Sequence, residues 1–402
     1  MIRLSHFLGA VLLVAGTTIG AAMLAIPVTT GFMGFFPSLI LFIFCWAVML
    51  LSGYFFVDVN CHFKEETNLV SMASKTLGRP GRIICWTFYL MLLYSLVAAY
   101  ISGSAPMFVS LFKVVGISLS LKTAYFCLPI IFGVFFYFGI QGIDYINRLL
   151  MLGLLISYLV IIFFAPSHVE LMNLLHHDTK MGLIAIPVVL TSFGFHIIIP
   201  SLGNYMNHQE RKLKRAVTWG SLLTLAVYIL WQVLVLGVVP LEGSISLSQS
   251  WFSGDAVAPL AQFLHNPKIA MGANCFAFFA IITSFLGVAL SLSDFLTDGF
   301  KIKKTWDGHF LAYGLTFVPP IFFVLQFQRG FITALEYAGV FVAVLLGILP
   351  SCMVLKLKKI NRYQDAKGKS LVYFVLTASV FMVFISLLNQ FGLFDVWIKN
   401  YQ

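Results

Sequence analysis

Long apolar runs recur along almost the whole chain and are separated by short segments that carry the charges. Of the 402 residues, 60% are hydrophobic and only 10% are charged, whereas about 25% of the residues in a soluble domain are charged. An apolar run of about 20 residues crosses a bilayer as a helix. The sequence therefore predicts an all-α polytopic membrane protein. We expect eleven transmembrane helices, at residues 5–30, 34–58, 83–111, 123–141, 149–166, 181–203, 216–239, 269–297, 309–327, 333–355 and 371–395.

The basic residues indicate how these spans are oriented. The 25 Lys and Arg residues lie between the runs, where they favour the cytoplasmic side of the membrane. With eleven spans and a cytoplasmic N-terminus, 19 of the 25 fall in cytoplasmic segments. The pattern predicts a cytoplasmic N-terminus and an extracytoplasmic C-terminus. Topology also accounts for the net charge of +10, so we expect no nucleic-acid partner.

The cysteines and the first run indicate neither a metal site nor a cleaved leader. Six cysteines are scattered without CxxC or Cys/His ligand spacing, so we expect no disulfide, no metal and no cofactor. The first run has no Ala-x-Ala cleavage pattern. We expect it to be retained as a span rather than removed as a signal peptide.

Small residues and a proline interrupt the first run near the bilayer centre. Residues 16–27 read GTTIGAAMLAIP. In a helix interior a glycine costs about 1 kcal/mol and a proline about 3. Irregular backbone at this depth is tolerated only where it is buried in protein or lines a cavity. We therefore expect a broken helix that forms part of a transporter binding site.

A second interruption occurs in the sixth predicted span. Residues 191–200 read TSFGFHIIIP, again with a threonine three residues before a glycine and a proline after it. The two segments begin two sets of five spans, 1–166 and 181–355. Because five is odd, the second set enters the membrane from the opposite side. This arrangement predicts an inverted-topology repeat.

These two motifs, together with TSFLG at residues 283–287 and DFLTDG at 294–299, resemble the hydroxy and aromatic amino acid permeases, in particular the tyrosine- and tryptophan-specific transport proteins. The resemblance covers essentially the whole chain. It implies the leucine-transporter-like 5+5 inverted-repeat fold of the amino acid/polyamine/organocation superfamily, with helices 1 and 6 broken and an accessory span at 371–395. It also implies a bacterial inner-membrane location and proton-driven uptake. The chain departs from the family pattern at Ala22, where glycine is usual, and at Ile197 and Ile198, where small residues are usual.

An amino acid zwitterion needs a site for its carboxylate and a site for its ammonium group. Amide groups at the start of the second half of a broken helix suit a carboxylate, and carbonyls that end the first half-helices, with nearby hydroxyls, suit an ammonium. We assign the carboxylate to the backbone of Gly20, Ala21, Ala22 and Met23. We assign the ammonium to Thr17, Thr18, Thr191 and Ser192. The competing interpretation of these hydroxyls is a hydrogen bond to the carbonyl one turn earlier.

The side-chain pocket is predicted from residues near the centre of three spans. An aromatic substrate can stack on Phe or Tyr rings. The candidates are Tyr94, Ser95, Phe193, Gly194, Phe195 and Ser284.

Ionisable residues inside spans are candidates for coupling and gating. His196 lies beside the second interruption and can change charge near neutral pH, and Glu336 lies near the outer end of the tenth span. We predict that one of these couples transport to protons, although a neutral structural histidine explains His196 equally well. Arg3 is predicted to pair with Asp298 or Asp294 as a cytoplasmic gate.

Several alternatives remain open at this point. Ser284 and nearby hydroxyls, with carbonyls of the first interruption, could hold sodium instead of a proton-coupled site. The substrate could be serine or threonine, although the Phe-rich second interruption favours an aromatic one. A membrane-embedded enzyme would need clustered catalytic groups, and a sensor would usually carry a soluble domain. We therefore expect a transporter that is not an enzyme, with an aromatic L-amino acid, H+ and membrane lipid as partners. Residues 240–268 are expected to form a surface connector rather than a lid.

Overall fold

The computed structural model describes residues 2–63, 68–138, 140–251, 253–264, 267–303, 305–327, 329–357, 360–394 and 397. These residues form helices and turns and contain no β-strand, which confirms the all-α prediction for this part of the chain. The α-helices are α1 (Ile2–Thr18), α2 (Ala22–Thr30), α3 (Phe35–Phe63), α4 (Leu69–Val114), α5 (Leu121–Ala124), α6 (Cys127–Phe138), α7 (Ile140–Phe164), α8 (Leu171–Leu174), α9 (Gly182–Ser192), α10 (Ile199–Tyr205), α11 (Glu210–Val238), α12 (Val257–Phe263), α13 (Pro267–Phe300), α14 (Trp306–Gln326), α15 (Gly330–Val342), α16 (Leu349–Lys356) and α17 (Ala366–Gln390). A π-helical segment, Ala343–Ile348, joins α15 to α16.

Most of the predicted spans coincide with long apolar helices. Within the described ranges, eight helices are long and apolar enough to cross a membrane, and α1 with α2 form a ninth span if the bent pair is counted as one. The fourth and fifth predicted spans coincide with shorter apolar helices at residues 121–133 and 149–164. The chain is thus a multi-pass membrane protein, and the count of eleven spans stays a prediction.

Local sequence sets the beginning and the bend of α4. The Asn68 side chain accepts a hydrogen bond from the Ser71 amide at 2.8 Å, and the Ser71 hydroxyl accepts one from the Asn68 amide at 2.9 Å. This reciprocal pair is a capping box. Gly78 has a φ of +73°, which glycine adopts at little cost, and Pro80 lacks an amide hydrogen. The chain therefore turns between a short helix at 69–77 and the span that follows.

The two interrupted segments lie in the core of the helical bundle. Every residue of α2 is buried, and α9 is buried apart from Leu183. The helix α2 packs against α9, α1 packs against α11, and α3 contacts both α9 and α11. The helix α13 packs against both α4 and α7. This packing surrounds the breaks with neighbouring helices.

The segment between α11 and α13, which the sequence predicts to be a surface connector, packs against helix ends. Trp251 is buried and contacts Phe32 edge-on, with ring centroids 5.4 Å apart. Val257 and Leu260 of α12 are fully buried. These apolar side chains recur at helical spacing, and burying them favours a packed segment over an exposed one.

Candidate functional site

The first helix is broken where the sequence predicts it. The helix α1 ends at Thr18 and α2 begins at Ala22, and the two halves are bent by 57°. Ser284 of α13 approaches the break closely, because a Cβ atom on Gly20 would lie 2.6 Å from the Ser284 hydroxyl oxygen. A side chain at position 20 would therefore force Ser284 or the break itself to move.

The break releases backbone groups from helical pairing. The amide of Gly20 forms no hydrogen bond with the described part of the chain. The amide of Ala21 donates to the Ser284 hydroxyl at 3.1 Å instead of to a carbonyl one turn earlier. The Met23 amide donates to the Gly20 carbonyl at 3.1 Å. Two amides at the start of α2 thus lack intrahelical partners, which is the usual condition of an anion-binding helix N-terminus.

The second break has a different geometry. The helix α9 ends at Ser192, and Phe193 and Gly194 lead into a 3₁₀ turn, Phe195–Ile198, before α10 begins. The Gly194 amide donates to the Thr191 carbonyl at 3.2 Å. Backbone pairing therefore continues through much of this break.

The four predicted hydroxyls all donate to carbonyls of their own helices. Thr17 donates to Leu13 at 2.7 Å and Thr18 to Val14 at 2.6 Å. Thr191 donates to Pro187 and Ser192 to Val188, both at 2.8 Å. These bonds to the carbonyl one turn earlier are the ones expected if the hydroxyls do not bind substrate. The hydroxyl oxygens can still accept a hydrogen bond.

A cavity of about 520 Å³ lies between the two breaks. The residues that line it include nine that were predicted from the sequence to bind substrate: Thr17, Thr18, Gly20, Ala21, Ala22, Thr191, Ser192, Gly194 and Ser284. The structure therefore brings together nine of the residues singled out from the sequence.

Other cavity-lining residues were missed by sequence reasoning. The helix α4 contributes Tyr89, Leu92, Leu93, Leu96 and Tyr100. These positions lie on a single face of α4, but a membrane helix is apolar on all sides, so the sequence held no local signal for this face. The helix α7 contributes Asn147 and Met151, and α13 adds Thr283, Gly287, Val288 and Ser291.

Two predicted pocket residues on α4 lie outside the cavity lining. The Tyr94 hydroxyl donates to the Leu315 carbonyl of α14 at 2.9 Å, so it is directed at a neighbouring helix. Ser95 is half-buried and does not line the cavity.

The aromatic residues of the second break are packed into the core rather than lining the cavity. Phe193 is fully buried against Tyr228, with ring centroids 5.3 Å apart. Phe195 stacks on His196 at 4.6 Å, and Phe56 meets the His196 ring edge-on at 6.1 Å. His196 is fully buried, and neither ring nitrogen has a hydrogen-bond partner of regular geometry among the described residues.

Comparison with known proteins identifies the family. The tryptophan/tyrosine permease family matches residues 3–386. The chain belongs to this family. Tyrosine-specific transport system 2 of Haemophilus influenzae is 34% identical over 96% of this chain and 98% of the relative. The tryptophan-specific transport protein of the same organism is 29% identical over 98% and 97%. The low affinity tryptophan permease of Escherichia coli is 29% identical over 87% and 86%. The permease is accordingly a transporter and not an enzyme.

The permease shares its fold with a solved metal transporter. A manganese transporter of Eremococcus coleocola, solved in complex with an aromatic bis-isothiourea substituted compound, aligns with a TM-score of 0.56 at 14% identity, over 98% of this chain and 95% of that one. In the part of the permease that the structure describes, no group of three His, Cys, Asp or Glu residues is placed to hold a metal. At 14% identity the likeness concerns the fold alone.

The two ends of the permease's cavity differ in exposure. Towards the beginning of α1, Leu12 and Leu13 line the cavity and are 54% and 45% exposed. In the opposite direction, Met23 and Trp231 are fully buried, and the Trp231 indole donates to the Met23 carbonyl at 3.0 Å. Exposed side chains thus line the cavity towards the beginning of α1, whereas the side chains beyond α2 are buried.

A charged cluster that the sequence did not predict joins α3, α11 and the turn before α17. The buried Asp58 carboxylate lies 2.5 Å from the Lys214 ammonium and accepts from the Tyr363 hydroxyl at 2.5 Å. Arg362 contacts Asp58 at 3.4 Å and Glu210 at 2.9 Å. Burial, together with the Asp58 carboxylate, raises the pKa of Tyr363, so its hydroxyl stays protonated as the donor.

The residues predicted to act in coupling and gating lie apart from the cavity lining. Glu336 is buried and pairs with Arg329 at 3.3 Å, and the Arg329 guanidinium lies 4.2 Å above the Trp251 ring. Asp294 and Asp298 are exposed near the end of α13. The Arg3 side chain lies outside the described part of the structure.

Proposed function

We propose that the permease imports an aromatic L-amino acid, tyrosine before tryptophan, by proton symport across the bacterial inner membrane. The observation that carries this proposal is the cavity at the breaks, whose polar end exposes backbone amides at the start of α2 and whose α4 wall is apolar. Its volume of about 520 Å³ is within the usual range for small-molecule sites. The substrates named for the relatives agree with this ligand class.

The substrate carboxylate binds at the start of α2 in this proposal. The Gly20 amide has no hydrogen bond within the described chain, and the Ala21 amide beside it donates to Ser284. The helix α2 begins at the next residue, Ala22. The positive end of a helix dipole stabilises an anion there. Because the Met23 amide donates to the Gly20 carbonyl and the Ala21 amide donates to the Ser284 hydroxyl, the proposed carboxylate site reduces to the amides of Gly20 and Ala22.

The aromatic ring of the substrate lies against α4 and α13. Leu92, Leu93 and Leu96 form a stripe beside Val288, and contact with a ring removes apolar surface from water. Tyr89 and Tyr100 at either end of the stripe add rings suited to offset or edge contacts. In this proposal Phe193 and Phe195 do not contact the substrate, and they pack the second break against the core.

Proton coupling is assigned to His196 before Glu336. An ionisable group buried at membrane depth is a functional candidate. His196 belongs to the second break, which adjoins the cavity, and its ring stacks on Phe195. Glu336 already has a cationic partner in Arg329, which favours a structural role for it.

Alternating access in this proposal opens the cavity to one side of the membrane at a time. With a cytoplasmic N-terminus, the end of the cavity that Leu12 and Leu13 line lies towards the cytoplasm in this proposal. Eleven spans, inverted repeats at 1–166 and 181–355, an accessory helix at 371–395, and a gate of Arg3 with Asp298 or Asp294 complete the proposal.

Uptake by purified protein in proteoliposomes tests this function. Radiolabelled tyrosine should accumulate when an inward proton gradient is imposed without sodium, and unlabelled tryptophan should compete better than serine. A requirement for sodium would contradict proton coupling, and uptake of serine without tyrosine would contradict the aromatic substrate.

A further inference from the structure

One hydroxyl group lies between the two breaks. The Tyr228 oxygen of α11 is 2.7 Å from the carbonyl oxygen of Thr18, the last residue of α1. It is 2.8 Å from the carbonyl oxygen of Ser192, the last residue of α9. Tyr228 is fully buried and its ring packs on Phe193. The residue therefore contacts the ends of both first half-helices from behind the cavity.

The contact holds two groups together that would otherwise repel each other. The carbonyl end of a helix carries about half a negative charge, and α1 and α9 present such ends to the same place. A tyrosine hydroxyl has one proton to donate, so the two carbonyls share it. Each carbonyl oxygen, of Thr18 and of Ser192, therefore keeps a lone pair that can accept a hydrogen bond from a further donor.

The spacing suits an ammonium group. Because both contacts meet at one atom, the two carbonyl oxygens lie at most about 5.5 Å apart. An ammonium nitrogen can bond to two oxygens at that separation, since N–H···O distances run from about 2.7 to 3.2 Å. Thr18 and Ser192 both line the cavity, and their side-chain hydroxyls already donate to their own helices.

We propose that Tyr228 is a positioning residue that fastens the ends of α1 and α9 so that both present carbonyls to the substrate ammonium. This inference rests on the proposed function, because it names the group that organises one part of the same site. Tyr228 itself does not line the cavity.

Tyr228→Phe tests the inference, since it removes the hydroxyl and keeps the ring. In proteoliposomes the KM for tyrosine should rise about 3- to 10-fold, as for the loss of one hydrogen bond between neutral groups, while the maximal rate stays within about twofold. Inhibition by 3-(4-hydroxyphenyl)propionate, which has the carboxylate and ring but no ammonium, should change less than about twofold. Tyr313→Phe is the matched control, because that hydroxyl donates to the Pro129 carbonyl at 2.9 Å away from the cavity, and it should change neither value.

Equal weakening of both ligands, an unchanged KM for tyrosine, or a lower rate without a change in KM would each overturn the inference. If Tyr228→Phe does not reach the membrane, Phe193→Leu replaces it, because it loosens the packing of Tyr228 and keeps every polar group. The same selective effect on tyrosine should then appear with a smaller factor, and its absence counts against the role. Failure of the wild-type protein to transport tyrosine would instead refute the proposed function.

Discussion

The two breaks share a sequence pattern but differ in what they expose. At the first break, Gly20 leaves its amide unpaired within the described chain and allows Ser284 to approach. At the second, Phe193 and Phe195 fill the space with buried rings, and Gly194 keeps a backbone hydrogen bond. A threonine, a glycine and a proline therefore predict an interruption, whereas the neighbouring side chains decide whether its backbone is free for a ligand.

The largest effect is expected at Gly20. Gly20→Ala would place a methyl group 2.6 Å from the Ser284 hydroxyl oxygen, so that the Ser284 side chain and the Ala21 amide bonded to it must move. Tyrosine uptake should fall about 100-fold, since small displacements of binding groups can have effects of that size. The measurement is initial uptake rate per amount of protein in the membrane.

Gly287→Ala is the matched control for this change. Gly287 also lines the cavity, but a Cβ atom there would have no atom within 4 Å. Uptake by this variant should stay near that of the wild type. Equal losses in the two variants would show that the first break has no special role.

The next largest effect concerns coupling at the second break. His196→Gln should abolish accumulation of tyrosine against its gradient while exchange of internal for external tyrosine continues, because the proposed proton carrier is lost. Accumulation and exchange are measured in the same proteoliposomes. His177→Gln changes an exposed histidine and should leave both intact; retained accumulation in His196→Gln would remove His196 from the coupling mechanism.

A moderate effect is expected from Ser284→Ala, which removes the acceptor for the Ala21 amide. The loss of one hydrogen bond corresponds to about 0.5–1.5 kcal/mol, so the KM for tyrosine should rise about 3- to 10-fold. Ser291→Ala provides the comparison, because Ser291 lines the same cavity but bonds to Gly287 of its own helix. A larger loss in Ser291→Ala than in Ser284→Ala would contradict the role given to the first break.

The smallest effect on transport is expected from Tyr94→Phe. Its hydroxyl bonds to Leu315, away from both breaks, so uptake should change less than about twofold. The lost hydrogen bond should still lower the free energy of unfolding by about 1 kcal/mol, seen as a lower melting temperature. A strong loss of uptake at unchanged stability would show that Tyr94 contributes to the substrate pocket, as the sequence predicts.

The sequence predicted the breaks well because their cause is local. Glycine weakens a helix, and Gly20 and Gly194 both fall within interruptions, whereas Pro27 lies inside α2 and Pro200 inside α10. The faces of the spans were harder to predict. A membrane helix is apolar on all sides, since lipid and core are equally apolar, so nothing local separated Tyr94 from Tyr89 and Tyr100.

Contacts between segments far apart in the sequence could not be predicted either. Asp58 and Arg362 are separated by most of the chain and meet only in the folded bundle, and no spacing rule pairs them. His196 was singled out as a coupling candidate beside the second break, but its stacking on Phe195 depends on the 3₁₀ turn, whose side chains follow a different spacing from those of an α-helix.

An experimental structure with tyrosine bound tests the central claim most directly. The account predicts the amino acid in the cavity between the breaks, with its carboxylate about 3 Å from the amides of Gly20 and Ala22 and its ring against Leu92 and Leu96. Tyrosine bound elsewhere, or bound in the cavity with its carboxylate turned away from the start of α2, would contradict it.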